Sequence, residues 1–425
     1  MTILSRRDLL KTGVATALGS VWPFPRTCGR KALGAPREKL PVAAVVTVYT
    51  KNSHADVIIG KIIDGYRQDG GAGPDLQVVS IYTDQVPAGE LSRAKAEQHG
   101  FRVCKTIDEA LTLGTNQIQV AGVLSIGEHG DYKYTPDTQQ HMYPRRRFFD
   151  EITATFERCG KVVPVFNDKH LGYRWEDALA MRDTAAKMKF PLLAGSSLPV
   201  AWRTPRLELP AECEIEAALS IGYGGMEAYG FHALEMHQCM LERRRGGETG
   251  IAAVSTVTGE EIRKTEAAGK WSTELFAVAR RQMPGNPEDT AGWKPGADSA
   301  VYLMEHRDGL KSAVMMANGL CGHFACAFKL KGVNEPVATW VKLQEGPPFG
   351  HFSYLLRAIT ETIHTGKSAY PVERTLLTTG ILDRVMHSLA DGGRRFETPE
   401  LDVRYKPVDW PYANHRDSPL ELPND

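Results

Sequence analysis

The chain has no excess of charge of either sign: over 425 residues, 51 Lys and Arg are matched by 51 Asp and Glu. Overall electrostatics give no pull toward nucleic acid, and no such partner is expected. Zinc-like cysteine spacing is missing too. The seven cysteines are Cys28, Cys104, Cys159, Cys213, Cys239, Cys321 and Cys326. Only the last two are close, with Gly322 and His323 between them, and a disulfide could form there in an oxidising compartment. No internal repeat is visible. The mildly apolar stretch 12–22 is too short to cross a bilayer as a helix.

That stretch follows Ser5, Arg6, Arg7, Asp8, Leu9, Leu10 and Lys11, and a proline- and glycine-containing exit follows it. An arginine pair, a weak apolar segment and such an exit, in this order, predict a twin-arginine export signal, whose cargo folds before it crosses. The expected location is periplasmic or otherwise extracytoplasmic, with the export machinery as a partner. At 42% hydrophobic residues, a chain this long exceeds the size at which one core stops growing, so two domains are expected.

Apolar runs at 41–48, 76–82, 120–126, 162–166 and 191–194 alternate with helical patterns at 54–66, 90–99, 145–159 and 175–188. Strand and helix in alternation predict an open parallel sheet with helices on both faces. After a proline-rich passage at 198–210, short apolar runs at 214–221, 300–304, 312–316, 324–330 and 337–343 predict a second sheet. Helices are expected at 231–243, 351–365 and 371–389.

In an open parallel sheet the ligand crevice lies beyond the C-terminal strand ends. Those ends carry Lys51, Asn52 and His54; Thr83 and Asp84; Glu128, His129 and Asp131; and Asn167, Asp168, Lys169 and His170. Each alone could cap a helix or face water, but their recurrence along one edge marks a site. His54, Asp84, Glu128 and His129 are the candidates for holding a cofactor, Asp84 because a carboxylate there accepts ribose hydroxyls. The glycines that let a backbone approach a pyrophosphate are absent; Val46, Val48 and Lys51 stand in their places. Lys169 can orient a substrate oxygen or stabilise an oxyanion, or else form a structural pair with Asp168 or another carboxylate. His232 is the acid/base candidate, the alternative being a satisfied histidine at a domain junction. On one helix it shares a face with Glu235 and Met236, not with His237. Arg145, Arg146 and Arg147, followed by Asp150 and Glu151, read as a solvated helix start, with binding of an acidic sugar or phosphate as the alternative. The run 243–245 reads as a surface cap.

Several segments together resemble one family. They are 78–84 with Ala94, Ala96, His99, Gly100 and Phe101; Asp168, Lys169 and His170 with Gly172; Gly224, Gly225, Gly230, His232, Ala233, Leu234 and Glu235; and Tyr370, Pro371, Val372 and Glu373. On these residues the sequence from Val42 to about Pro399 resembles the glucose-fructose oxidoreductase, inositol dehydrogenase and rhizopine-catabolism family. The resemblance implies an α/β fold class, a Rossmann-like parallel domain followed by an α/β domain with a large open, mainly antiparallel sheet. It also implies NAD(P) and a sugar, polyol or related hydroxylated substrate. Lys169 falls on the lysine of the family's Glu-Lys-Pro motif, His232 on its active-site histidine and His54 on the histidine beyond the glycine loop. The family's aspartate four residues before that histidine is replaced by Ala228; Glu227 is adjacent but points about 100 degrees away on a helix. Lys169, His232, Asp168 and Glu227 are thus the catalytic candidates.

The expected division is 1–40 signal and leader, 41–198 Rossmann-like domain, 199–399 substrate or oligomerisation domain, and 400–425 a tail on a surface or an oligomer partner. Two other functions stay open. One is a metal-assisted lyase or hydratase on a carbohydrate-like substrate, with a divalent metal held among His129, Asp131, Asp168, His170, Glu227 and His232. The other is a non-catalytic carbohydrate-binding protein.

Overall fold

Leu40–Val46 (β1) is a nearly unbroken Val and Ala run, fully buried from Val42 onward. A strand covered on both faces belongs inside a parallel sheet. In the computed structural model, which describes residues 37–285 and 292–416, β1 lies centrally among Leu76–Thr83 (β2), Arg102–Cys104 (β3), Gly122–Ile126 (β4), Val165–Asp168 (β5) and Leu192–Gly195 (β6). All six strands are parallel, in the order 3-2-1-4-5-6. Succession reverses between β1 and β4, so the loops after these two strands diverge and open a crevice at the C-terminal edge. The intervening helices are His54–Ile63 (α1), Ser92–His99 (α2), Ile107–Thr112 (α3), Arg145–Cys159 (α4) and Trp175–Met188 (α5). The export segment and Cys28 lie outside the described residues.

A second sheet of eight strands comprises Trp202–Thr204 (β7), Ile215–Gly222 (β8), Ile251–Thr258 (β9), Ala300–His306 (β10), Lys311–Met316 (β11), Phe324–Leu330 (β12), Val337–Lys342 (β13) and Phe396–Glu397 (β14). Its order is 14-9-10-11-8-12-13-7, and only β8 with β11 is parallel. The fold class is therefore as expected. The sequence reading has no strand at β9, where Ser255, Thr256 and Thr258 dilute the apolar signal. Alternation along β11 shows how the sheet is covered: Val314 and Met316 join one core, Ala313 and Met315 another. The first face receives Ala228–Leu241 (α6). The second receives Thr273–Arg281 (α8), which follows the short Glu261–Ala267 (α7).

His351–Thr365 (α9) returns to the parallel sheet, where Leu355, Ile359 and Ile363 share a core with Val42, Ala44, Leu124 and Ile126. Glu373–Ala390 (α10) packs on α5 and α6. Residues 400–416 pack on their own chain: the Tyr405 hydroxyl donates to Glu242 (2.8 Å) and the Ala413 N–H to the Val200 carbonyl (2.9 Å). The six described cysteines are free, Cys321 and Cys326 included. Among the described residues no helix is long and apolar enough to cross a membrane.

Gly380 in α10 marks a close approach to Trp175 at the start of α5 and to Leu401. A Cβ there would sit 2.4 Å from Leu401 and 2.7 Å from the Trp175 ring. Alanine is the better helix former by about 1 kcal/mol, whereas overpacking costs about 1–3 kcal/mol. The clash should win, so Gly380→Ala is expected to lower the urea midpoint; a raised midpoint would show that propensity outweighs packing here.

Candidate functional site

The loop after β4 brings Glu128 to the crevice, and the loop after β5 brings Lys169 and His170. The Thr47 hydroxyl, after β1, donates to the Glu128 carbonyl at 2.6 Å and ties two of these ends together. Glu128 is buried and its two carboxylate oxygens face two cations, Lys169 Nζ at 3.1 Å and Arg145 Nη2 at 2.6 Å. Burial alone would raise this carboxyl, but Lys169 and then Arg145 overcome it and hold Glu128 well below the usual carboxylate range. Lys169 adopts a φ of +64°, a region that a lysine enters at a cost of about 1–3 kcal/mol. Its alternative role as a structural ion pair is thus real, but with Glu128 rather than Asp168.

Arg145 corrects the sequence reading: it is not a solvated helix residue but fully buried. Its Nη1 lies 3.0 Å from His170 Nε2. A guanidinium cannot accept, so Nε2 must, and the His170 proton resides on Nδ1. Burial, followed by Arg145, holds His170 well below its ordinary pKa, so the ring stays neutral. Arg244 departs from expectation in the same way, buried on Glu248 and Asp308 rather than capping a surface.

Asp168 turns to His54, Oδ2 lying 2.6 Å from Nδ1. In the neutral form of the ring, Nδ1–H donates to the carboxylate and Nε2 is the nitrogen with a lone pair. His232 is held by Ser196, whose Oγ lies 2.6 Å from Nδ1. Ser196 is buried, and its hydroxyl has no acceptor other than His232 Nδ1 among the described residues, while its oxygen accepts the Leu198 N–H (3.1 Å). Its hydroxyl hydrogen therefore goes to His232 Nδ1, and Nε2 carries the ring proton. Burial, then Lys169 and His54, hold His232 well below its ordinary pKa. It is a neutral N–H donor. His237 goes elsewhere, to Ser220 (2.8 Å), so the two histidines of α6 do not share a site.

His54, Lys169 and His232 line one cavity of about 610 Å³, together with His129, Ser197 and Tyr229. His129 is exposed at its rim, and desolvation against the wall, then the charge of His54 when protonated, lower it to about 4. Glu227 is not in this cavity. It lines a second one of about 600 Å³ with His170, His141 and Tyr143, and Glu128 and Ala228 line both. Of the four catalytic candidates, the fold therefore brings Lys169 and His232 together, places Asp168 behind His54, and sets Glu227 apart. Sequence reasoning missed Ser196, Arg145 and Tyr229. Arg145 alone carried a signal: Arg146 and Arg147 have acids four residues on, Asp150 and Glu151, whereas Arg145 has Phe149.

A dinucleotide would need an open phosphate cradle at the start of α1 and a free acceptor at the end of β2. Neither is present. Ser53 accepts the N–H groups of Thr50 (3.3 Å) and Asp56 (3.4 Å), while Asp56 Oδ2 accepts the Asn52 N–H (2.8 Å). The chain thus supplies its own carboxylate where a pyrophosphate would sit. Val48 and Tyr49 are buried in the same loop. Asp84 is likewise occupied, by the hydroxyls of Tyr82 and Tyr132 (both 2.7 Å) and by Arg147 (2.5 Å), and the Gln85 side chain pairs with the Asp131 backbone, each bond 2.8 Å. Of the four expected cofactor residues, Asp84 and Glu128 are spent on protein groups, His54 on Asp168, and His129 faces the first cavity. The residues present do not fit a dinucleotide. Nor do His129, Asp131, Asp168, His170, Glu227 and His232 converge: among the described residues no group of three or more His, Cys, Asp or Glu is placed to hold a metal ion.

The fold itself has known counterparts. GenD2 of gentamicin A biosynthesis, solved in complex with NAD, is 16% identical over 86% of this chain and 97% of that one, with a TM-score of 0.55. An oxidoreductase from Agrobacterium radiobacter with NAD+, L-tartaric acid and magnesium gives 15%, 84%, 98% and 0.52. A myo-inositol dehydrogenase from Corynebacterium glutamicum gives 13%, 84%, 98% and 0.51. The chain shares their two-sheet fold. No protein-family model and no curated protein matches its sequence.

Burial pushes the Glu227 carboxyl up to about 7 from an ordinary 4.5, although its Oε2 accepts the His141 N–H (2.8 Å). Its folded-state pKa is raised, so the neutral form is favoured and stability falls as pH rises from 4.5 toward 7. Over that window the loss is roughly 3 kcal/mol by linkage. Glu227→Gln should show no such loss, so urea unfolding at pH 4.5 and pH 8 should show the variant gaining on the parent at the higher pH. An unchanged difference between the two proteins would refute the assignment.

Proposed function

We propose that the chain is an enzyme that abstracts a proton from a small hydroxylated, carbohydrate-like compound, on a scaffold shared with sugar and polyol dehydrogenases. The observation that carries this is the opposed pair of roles around one cavity: His54, oriented by Asp168, presents a lone pair, while Lys169 and His232 present donors. His54 Nε2 takes a proton from the carbon beside a carbonyl. The C–H electron pair moves into the new C=C bond, and negative charge collects on the carbonyl oxygen. Lys169 and the neutral His232 Nε2–H stabilise that oxygen, as pre-oriented donors do in a water-poor site. Protonation of the opposite face by solvent, with His54 then releasing its proton, gives epimerisation; departure of hydroxide from the next carbon, which takes the proton from His54 Nε2 and leaves as water, gives elimination. The base role thus falls to His54 rather than to His232.

Nicotinamide-dependent oxidation of a carbinol is the second reading, favoured by the similar structures that hold NAD. It requires the first loop to reorganise around the pyrophosphate, and fluorescence titration with NADH and NADPH tests it. The first reading expects no saturable binding. Export through the twin-arginine system completes the proposal; replacing Arg6 and Arg7 by lysine should retain the protein in the cytoplasm, and unimpaired export would count against it.

The catalytic claim is tested by hydrogen–deuterium exchange at carbon, followed by NMR over a panel of neutral aldoses and ketoses in D2O. His54→Gln and Lys169→Met should each slow exchange about 100-fold or more. Because His232 acts as a neutral donor, its titration should not appear in the pH–rate profile above pH 6. Exchange untouched by both substitutions would remove the proposal.

A further inference from the structure

The second cavity is not explained by chemistry at Lys169. Its outer wall is a stack of rings: His141 lies between Tyr134 (centroids 4.3 Å apart, 23° between planes) and Tyr143 (3.9 Å, 32°). Tyr134 leaves 54% of its surface exposed, unusual for so large a ring. The supporting loop is firmly held. Thr138 donates to Gln140 Oε1 (2.7 Å), the Gln140 N–H donates to Thr135 (2.9 Å), and the Gln140 side chain reaches Asp383 on α10 (3.1 Å). Rings on a rigid loop form a pre-organised platform.

Behind the rings stand two polar atoms with nothing to bind. His170 is buried, and its Nδ1–H has no hydrogen-bond partner; the Glu227 Oε1 atom is also buried, 3.7 Å from His170 Nε2 and without a hydrogen bond. A buried donor and acceptor left unpaired cost about 1–3 kcal/mol each, and both residues line this cavity. The ligand they await is not an anion. Glu128, Asp137 and Glu227 are on the wall, and the nearby Arg145 is already spent on Glu128 and His170. Nor does the wall demand a cation, because burial favours the neutral form of Glu227.

We propose that this cavity is a second binding site, separate from the Lys169 cavity, for the ring of a neutral carbohydrate, laid on the exposed Tyr134 ring that His141 and Tyr143 back, and hydrogen-bonded by Glu227 and His170. The C–H face of a sugar ring is apolar and gains by burial against aromatic rings. Its hydroxyls serve as both donors and acceptors, which is what an isolated N–H and an isolated carboxyl oxygen require. A volume of about 600 Å³ lies within the usual range for sites of small organic ligands.

Saturation-transfer NMR on the full-length protein, with a mixture of neutral mono- and disaccharides, tests this. The bound sugar should lose affinity about tenfold or more in Tyr134→Ala and severalfold in Glu227→Gln. Carbon-bound hydrogen exchange at the Lys169 cavity should stay within twofold in Tyr134→Ala, a substitution at an exposed ring that threatens the fold little. Absence of transfer to every sugar overturns the proposal. Transfer abolished by His232→Ala but untouched by Tyr134→Ala also overturns it, by assigning the sugar to the first cavity; that result would leave the proposed catalysis standing. Conversely, loss of exchange chemistry with Tyr134-dependent binding intact would sink the catalytic proposal and support this one.

Discussion

The site is organised around the Glu128 carboxylate, held between Lys169 and Arg145. Taking any one of these ions out of water costs several kcal/mol, and only close pairing repays it. Remove one partner and a buried charge is left alone. The arrangement also fixes protons beyond itself. Arg145 can only donate, so it dictates the tautomer of His170. Lys169, drawn toward Glu128 at a φ of +64°, has its remaining N–H groups available to a ligand.

The same economy explains the filled phosphate cradle. In a dinucleotide fold the first helix terminus must stay uncommitted until the ligand arrives. Here Ser53 and Asp56 satisfy it permanently, and Asp56 adds a negative charge that would repel phosphate. Asp84, the residue most suggestive of a ribose contact, is neutralised by Arg147 and by hydroxyls of Tyr82 and Tyr132. The crevice is present, and the groups that would meet a dinucleotide are hydrogen-bonded to one another instead. His54 is paired with Asp168.

Much of this was legible in the sequence, for identifiable reasons. Strand ends are local features, so Lys169, His54 and Glu128 could be found by reading where apolar runs stop. Their partners could not. The Ser196–His232 contact joins residues on different elements, and nothing in the local sequence of either chooses an imidazole tautomer. The arginines show both sides of pattern reasoning. Phe149 in the place of an acid distinguishes Arg145 from its neighbours, yet Arg244 has a well-spaced Glu248 and is buried all the same. Spacing along a helix says who can pair, not whether the pair faces water. Strand β9 was invisible because its interior is rich in Ser and Thr; burial there is decided by neighbouring strands.

The charges around Glu128 nearly cancel, while Glu345 on the first cavity and Asp137 on the second add negative charge to each wall. Lys169 and Arg145 contribute two positive charges, and Glu128 and Asp168 two negative ones, once His54 is in the unprotonated form that its base role requires. His170 and His232 are held neutral by burial and by Arg145 and Lys169, the exposed His129 is lowered to about 4, and burial raises Glu227 to about 7. An ionised ligand entering either space would break this balance at low dielectric, where the penalty is largest. A neutral, polyhydroxylated one would not. The electrostatics therefore select the same ligand class in both cavities, although only one of them contains a base.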